Sequence, residues 1–266
     1  MSIRRGIRIA IVVLCAAVFL ACVGMLVHIL VRYSYDEGVY ESVNEGFETL
    51  GELQGNGDNG GVTVLTGMND EMKRQYDFLL QLKARYPDVV GYVSIPSVNI
   101  NYPVVQTDNN SYYLNHLITG EESTSGTVFL DCRGSSDART AKNLVLYGHN
   151  MNNKTMFHNI ELLFEKDAFL CATVEYITED GIFIYKPYSV YRTDENDIFD
   201  RYAFADEQDY LNYCDDIAEL SFFEESLDIW PATESGLITF VTCTNFVKTD
   251  RYIYQAVLER IYLPEN

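Results

Sequence analysis

LITFVTCTNFVKTDRYIY, Leu237–Tyr254, is the stretch on which the reading of this chain turns. Both of its arms are rich in β-branched and aromatic residues, the composition of strands. They predict one strand over Leu237–Thr242 ending on Cys243, a loop, and a second strand opening at Arg251. Neighbouring strands with a short connection usually pair antiparallel, which sets Cys243 and Arg251 side by side at one rim of a sheet. A thiol beside a permanent cation is a place where thiolate forms and an oxyanion is stabilised. A small buried Cys and an exposed Arg is the competing reading, and the hairpin alone leaves both open.

The 266 residues, 47% of them apolar, suffice for one large or two small domains with a sizeable core. Charge is unevenly placed. All 39 acidic residues lie at or beyond Asp36, whereas Arg4, Arg5, Arg8 and Arg32 precede it. The remainder of the 19 basic residues leaves a net −24 from Asp36 onward. Such a surface argues against nucleic acid as a partner, since phosphates require the opposite field.

Ile9–Val31 is a run without Asp, Glu, Lys or Arg whose only charge candidate is His28. At ~1.5 Å rise per residue it reaches roughly 34 Å, enough to cross a bilayer core. The run is too long for a signal-peptide core and no A-x-A-like site follows it, so an uncleaved anchor is preferred to a cleaved signal. Arginines before the run put the N-terminus in the cytoplasm and the body outside the cell. Cys15 and Cys22 share a helical face and read as packing residues. Beyond the anchor, Tyr33–Gln54 reads as a polar helix and Gly51–Gly67 as a flexible linker. The expected organisation is a tip and anchor over 1–32, an extracellular stalk over 33–68 and a catalytic or binding body over 69–266.

The body opens with a helix near Asn69–Tyr86, with Met72, Tyr76, Leu79, Leu80 and Tyr86 toward one face and Pro87 as its stop. Short strands follow: Val89–Ile95, Asn99–Val104, Thr127–Leu130, Asn143–Tyr147, Thr173–Thr178, Ile182–Tyr191, Leu237–Thr242 and Tyr252–Tyr262. Eight strands without a helix between each pair predict a mostly β fold, a closed or nearly closed and mostly antiparallel barrel. Two helical inserts interrupt it, Thr155–Phe164 and Asp206–Leu220. The second carries an Asp cap and an apolar stripe of Tyr210, Cys214 and Ile217.

Outside the anchor, the nucleophile candidates are Cys132, Cys171, Cys214 and Cys243. Cys214 belongs to a helix face and Cys171 has no evident partner. Cys132 ends the strand TVFLDC with Arg133 beside it, so it stands as a second candidate. An oxidising exterior also allows a disulfide among them, which spacing does not decide. His116 and His158 fall in polar loops and read as surface residues. His149 differs, because it follows the strand NLVLY and a Gly that leaves open backbone approach at the sheet rim. Paired with Cys243 on a similar strand end, it suits acid/base work beside a thiol. No His/Asp/Glu cluster has metal-ligand spacing, so no cofactor and no metal is expected.

Four segments carry a resemblance: VVGYVSIPSVNINYPVVQTDNNSYYLNH from Val89, SGTVFLDCRG from Ser125, NLVLYGHNMNNKTMF from Asn143, and ITFVTCTN with DRYIYQAVL from Ile238. Together, over Val89–Tyr262, they resemble the class B sortases, cysteine transpeptidases of Gram-positive cell surfaces. The family motif T-L-x-T-C falls on Thr239–Cys243 with Phe240 in place of Leu, and Val241 stands where many members have Ser. The resemblance implies an eight-stranded sortase-type barrel with the Asp206–Leu220 helix inserted between strands six and seven. It implies Cys243, His149 and Arg251 as the catalytic residues. Cys243 would attack the carbonyl of a Thr in the C-terminal sorting signal of a secreted protein, whether NPQTN-like or of an x-PxTG type. The thioacyl-enzyme would then pass to an amine of a cell-wall precursor such as the lipid II cross-bridge. Tyr112–His116 and Tyr191–Phe199 would border the peptide groove, with Tyr112, Leu114, Asn115, His116, Phe199, Val241 and Thr242 as substrate contacts. Two other functions use the same residues or none of them: a secreted Cys–His hydrolase, and an anchored binding module in which Cys243 is inert.

Overall fold

The computed structural model describes residues 2–47, 61–194, 198–224, 229–244 and 249–265. The chain divides into two compact units, Met1–Glu41 and Ser42–Asn266. In the first, helix α1 (Ser2–Asn44) continues unbroken beyond the apolar run. From Ile11 it is long and apolar enough to cross a membrane, and none of its most apolar window is buried. Leu20 and Met25 are 68% and 69% exposed.

The second unit is a closed barrel. Strands β2 (Val89–Ile95), β3 (Ile100–Val105), β4 (Phe129–Leu130), β5 (Asn143–Tyr147), β6 (Val174–Thr178), β7 (Gly181–Asp194), β8 (Leu237–Cys243) and β9 (Asp250–Leu263) correspond to the eight expected strands. They run in the order β9-β7-β6-β2-β3-β4-β5-β8, and β8 closes back on β9. Only β3–β4 and β5–β8 pair parallel within the ring. Large aromatics are buried on both faces of the sheet: Tyr176, Phe183, Phe240 and Tyr254 are fully buried, and Tyr92, on the face opposite Tyr176, is buried beneath Phe47 and Phe78.

One strand departs from the sequence reading. Thr63–Thr66, assigned above to the end of a linker, forms β1 and pairs parallel with the far end of β9, Thr63 opposite Arg260 and Thr66 opposite Leu263. Its partner lies at the other end of the body, so a local pattern flanked by glycines carries no sign of the pairing. The rest of the glycine-rich stretch, 48–60, lies outside the described residues. Phe47, also read as stalk, stacks on Tyr92 of the barrel with centroids 3.8 Å apart.

Helix α2 (Asp70–Arg85) is capped by Asn69, whose side chain accepts from the Met72 N–H at 2.8 Å. Its buried face is Met72, Gln75, Leu79 and Leu82. Leu80, expected on that face, is 38% exposed, because the 3.6-residue period carries it round to solvent. The expected helix over Thr155–Phe164 is instead a 3-10 turn at His158–Phe164 followed by α3 (Lys166–Leu170). Lys154 and Met156 hold left-handed φ values of 67° and 58°, which no helix start at Thr155 tolerates. Helix α4 (Glu207–Glu219) is the insert between the sixth and seventh barrel strands. Asp206 caps it, accepting from the Asp209 N–H at 2.9 Å, and Tyr210, Tyr213, Cys214, Ile217 and Ala218 are buried.

A buried polar network fastens α4 to the barrel. The Asn143 amide donates to the Phe199 carbonyl at 3.0 Å and the Arg201 carbonyl at 3.1 Å, while its Oδ1 accepts from the Thr239 hydroxyl at 2.7 Å. Gln255 donates to Thr239 Oγ1 at 3.0 Å and to the Tyr213 hydroxyl at 3.3 Å. Removing the Asn143 amide strands these buried partners. Asn143→Ala is expected to destabilise by about 3 kcal/mol and to lower Tm by roughly 6–12 °C, measured by calorimetry. A Tm within a degree of wild type would show that the network contributes nothing.

Candidate active site

Three adjacent strands end on the three candidate catalytic residues. β8 terminates on Cys243, which is exposed. On one side the antiparallel β8–β9 register puts Arg251 directly opposite Cys243. On the other side β5 runs parallel to β8 with Tyr147 opposite Val241, and the Gly148 N–H extends that ladder to the Val241 carbonyl at 3.2 Å. Continuing the register by two residues brings His149 level with Cys243. Thiol, imidazole and guanidinium therefore stand on neighbouring strand ends with the thiol in the centre. Gly148 is required for this rim, since a Cβ there would sit 2.7 Å from the Phe157 ring.

All three residues line one cleft of about 320 Å³, together with Leu114, Val241, Thr242, Asn110, Phe129, Tyr147 and Gly148. Phe129 and Tyr147 stack at 5.3 Å as one wall of it. His149 Nε2 lies 2.8 Å from the Leu114 carbonyl oxygen. A carbonyl only accepts, so Nε2 carries the proton of that bond and Nδ1 is the nitrogen left for proton exchange. Arg251 Nη1 donates to the Asp250 carbonyl at 3.0 Å, while the Asp250 carboxylate accepts from Arg192 Nε at 2.8 Å. The Thr242 hydroxyl is buried against the cleft with no hydrogen-bond partner among the described residues.

The remaining predicted contacts are scattered. Leu114, Val241 and Thr242 reach the cleft. Tyr112 and His116 stack on each other at 4.1 Å and Asn115 is exposed, and none of the three lines it. Phe199 lies off the cleft lining: it is 5% exposed and packs in a buried cluster with Val145, Tyr191, Val241 and Ile253. A large apolar ring that reaches the core is more stable there than on a groove wall. Asn110, Phe129 and Tyr147 line the cleft without having been singled out. The last two carry a signal in hindsight, since each sits on a strand end beside a candidate segment. Asn110, in a polar loop, carries none.

The other thiols fall away from this geometry. All six cysteines are free. Cys132 is not on the cleft lining, and its N–H donates to Asn110 Oδ1 at 2.8 Å. The cation beside it is committed elsewhere: Arg133 pairs with Asp131 and with Asp200, each at 2.7 Å, and lies over the Tyr202 ring. Cys214 is buried on α4, and burial pushes its thiol up to about 12. Cys171 follows α3 at the surface.

Asp131 follows β4, whose Phe129 lines the cleft. Burial disfavours its charge, but hydrogen bonds from the Arg133 guanidinium and N–H, from Asn110 and from Tyr202 outweigh this and hold it well below the usual carboxylate range. A depressed folded pKa stabilises the fold above the unfolded value, near 4, and that contribution is lost as pH falls toward the folded value. Asp131→Asn is therefore expected to lower Tm at pH 7 by roughly 4–8 °C, about 2 kcal/mol. The gap from wild type should narrow below pH ~4. A gap independent of pH would show that shape rather than charge holds the cluster.

The family model described as the sortase domain matches residues 93–259. Sortase B of Listeria monocytogenes is 29% identical over 180 residues, covering 67% of this chain and 70% of that protein. Sortase B of Staphylococcus aureus is 24% identical over 181 residues, covering 68% and 72%. Among solved structures, a mutant form of Clostridium perfringens sortase B superposes with a TM-score of 0.65 at 27% identity, over 71% of this chain and 90% of that one. A Staphylococcus aureus sortase B–substrate complex superposes at 0.62 and 25% identity, over 69% and 85%.

Proposed function

The chain belongs to the sortase family as a class B cysteine transpeptidase, and from that premise we propose that it cleaves the C-terminal sorting signal of a secreted protein after a Thr and passes the acyl group to an amine of a cell-wall precursor. The observation that carries the reading is the alignment of Arg251, Cys243 and His149 on three neighbouring strand ends around one cleft. The Cys243 thiolate adds to the Thr carbonyl, and the oxyanion that forms is met by the Arg251 guanidinium. Collapse expels the C-terminal tail as an amine, which takes its proton from Nδ1 of His149 and leaves a thioester on Cys243. The incoming amine, such as that of a lipid II cross-bridge, attacks the thioester and loses its proton to the same nitrogen. An amide forms and Cys243 leaves as thiolate, with His149 again an imidazolium ready for the next cycle. The Leu114 carbonyl, by holding Nε2–H, fixes which nitrogen does this work.

The substrate peptide lies against Leu114, Val241 and Thr242, which line the cleft. Tyr112, Asn115 and His116 belong to the outer rim, and Phe199 supports Val241 from behind. Residues 1–32 of helix α1 anchor the enzyme in the membrane with the catalytic body outside the cell, and of the expected stalk 33–68 both Phe47 and Thr63–Thr66 pack on that body. Protease added to intact cells should then remove the body, and protection from it would reverse the orientation.

Incubation with NPQTN-like and x-PxTG peptides, with and without an added amine, tests the reaction. Amide product only when amine is present supports transpeptidation. Hydrolysis indifferent to the amine would make the protein a hydrolase, and no cleavage of any peptide would make it a binding module.

A further inference from the structure

His158, read from the sequence as a surface residue, has a side chain only 13% exposed and closes a chain of three polar side chains that ends on the nucleophile. Glu161 Oε1 lies 3.0 Å from His158 Nε2, His158 Nδ1 lies 2.7 Å from Asn150 Oδ1, and Asn150 Nδ2 donates to the backbone carbonyl of Cys243 at 2.9 Å. The directions follow from chemistry. Only the NH₂ end of an amide satisfies a carbonyl, so Asn150 presents Nδ2 to Cys243 and Oδ1 to the ring. Oδ1 only accepts, so His158 Nδ1 carries a proton and fixes the amide in that orientation.

The same loop carries His149. Its carbonyl accepts from the Phe157 N–H at 2.9 Å, and Asn150 bridges back to Met156. The peptide following the nucleophile is held at both ends, its carbonyl by Asn150 and its N–H, that of Thr244, by the Asp250 carbonyl at 3.0 Å. We propose that Asn150, oriented by His158 and Glu161, is a positioning residue that locks the end of β8 to the loop bearing His149. Thiol and imidazole then keep one separation through both acyl-transfer steps. The inference rests on Cys243 and His149 being the reacting pair. The barrel ladder ends at Cys243, and the clamp ties the strand end to the imidazole loop at that point.

The test uses the full chain with Asn150→Ala, His158→Phe and His158→Gln. It reads kcat and KM on a sorting-signal peptide, the rate of Cys243 alkylation by iodoacetamide at fixed pH, and Tm. Asn150→Ala should lower kcat and the alkylation rate each on the order of tenfold, with KM nearly unchanged and Tm within about 3 °C of wild type. His158→Phe should reproduce the loss. His158→Gln should recover most of it, because an amide also donates to Asn150 Oδ1. Wild-type kcat and alkylation in Asn150→Ala would overturn the proposal, as would losses that follow Tm equally in all three variants. Alkylation needs no peptide. A wild type that alkylates but turns over no peptide refutes the transpeptidase reading, and the alkylation series then decides the clamp by itself.

Discussion

Cys243→Ala should lose transpeptidation by on the order of 10⁴-fold or more, because removing a nucleophile leaves only binding and oxyanion stabilisation. Folding should be nearly unchanged, since the side chain is exposed at the end of β8 and its loss leaves no cavity. The companion variant is Cys132→Ala. Cys132 ends a similar strand beside an arginine, and the sequence holds the two thiols as rivals. The structure separates them: Arg251 faces Cys243 across a ladder, whereas Arg133 is bound to Asp131 and Asp200. Cys132→Ala should therefore keep wild-type turnover and capture of a substrate-mimic inhibitor. The reverse pattern would move the nucleophile to Cys132, in the turn after β4.

Arg251→Lys is expected to lose on the order of 10²-fold in kcat, by analogy with removal of one oxyanion donor. Lysine keeps the charge but presents a compact ammonium in place of a planar fork, and directed donors are what the tetrahedral oxyanion requires. Arg251 already spends Nη1 on the Asp250 carbonyl, which fixes the plane of the guanidinium at the cleft. A role limited to charge predicts a different outcome, with most activity retained in the Lys variant and only the pH profile of Cys243 alkylation altered. Steady-state rates and that profile, measured on both proteins, distinguish the two roles. Near-normal turnover in the Lys variant would remove the directed-donor role.

The barrel was legible because each strand carries its own local signal. Alternating β-branched and aromatic residues between turns mark β2 to β9, and the Asp206 cap marks α4. The Cys243–Arg251 pair was legible for the same reason, since a hairpin register is a short-range property. What stayed hidden depends on partners distant in the chain. β1 exists only because the outer edge of β9 accepts it. Phe199 is drawn into the core by Val145 and Ile253, which no local pattern links to it. His158 in a polar loop looks like any surface histidine until the left-handed turns at Lys154 and Met156 fold it back onto Asn150. The Asn143 network likewise joins residues of β5, β8, β9 and α4 that only the closed barrel brings together.

The most direct test of the central claim is the intact mass of the protein after incubation with a sorting-signal peptide in the absence of amine, followed by peptide mapping. The thioester mechanism predicts an added mass equal to the peptide up to its Thr, located on Cys243, discharged on adding an amine with appearance of the amide, and absent from Cys243→Ala. An adduct on another residue, or amide formation without any adduct on Cys243, would contradict it.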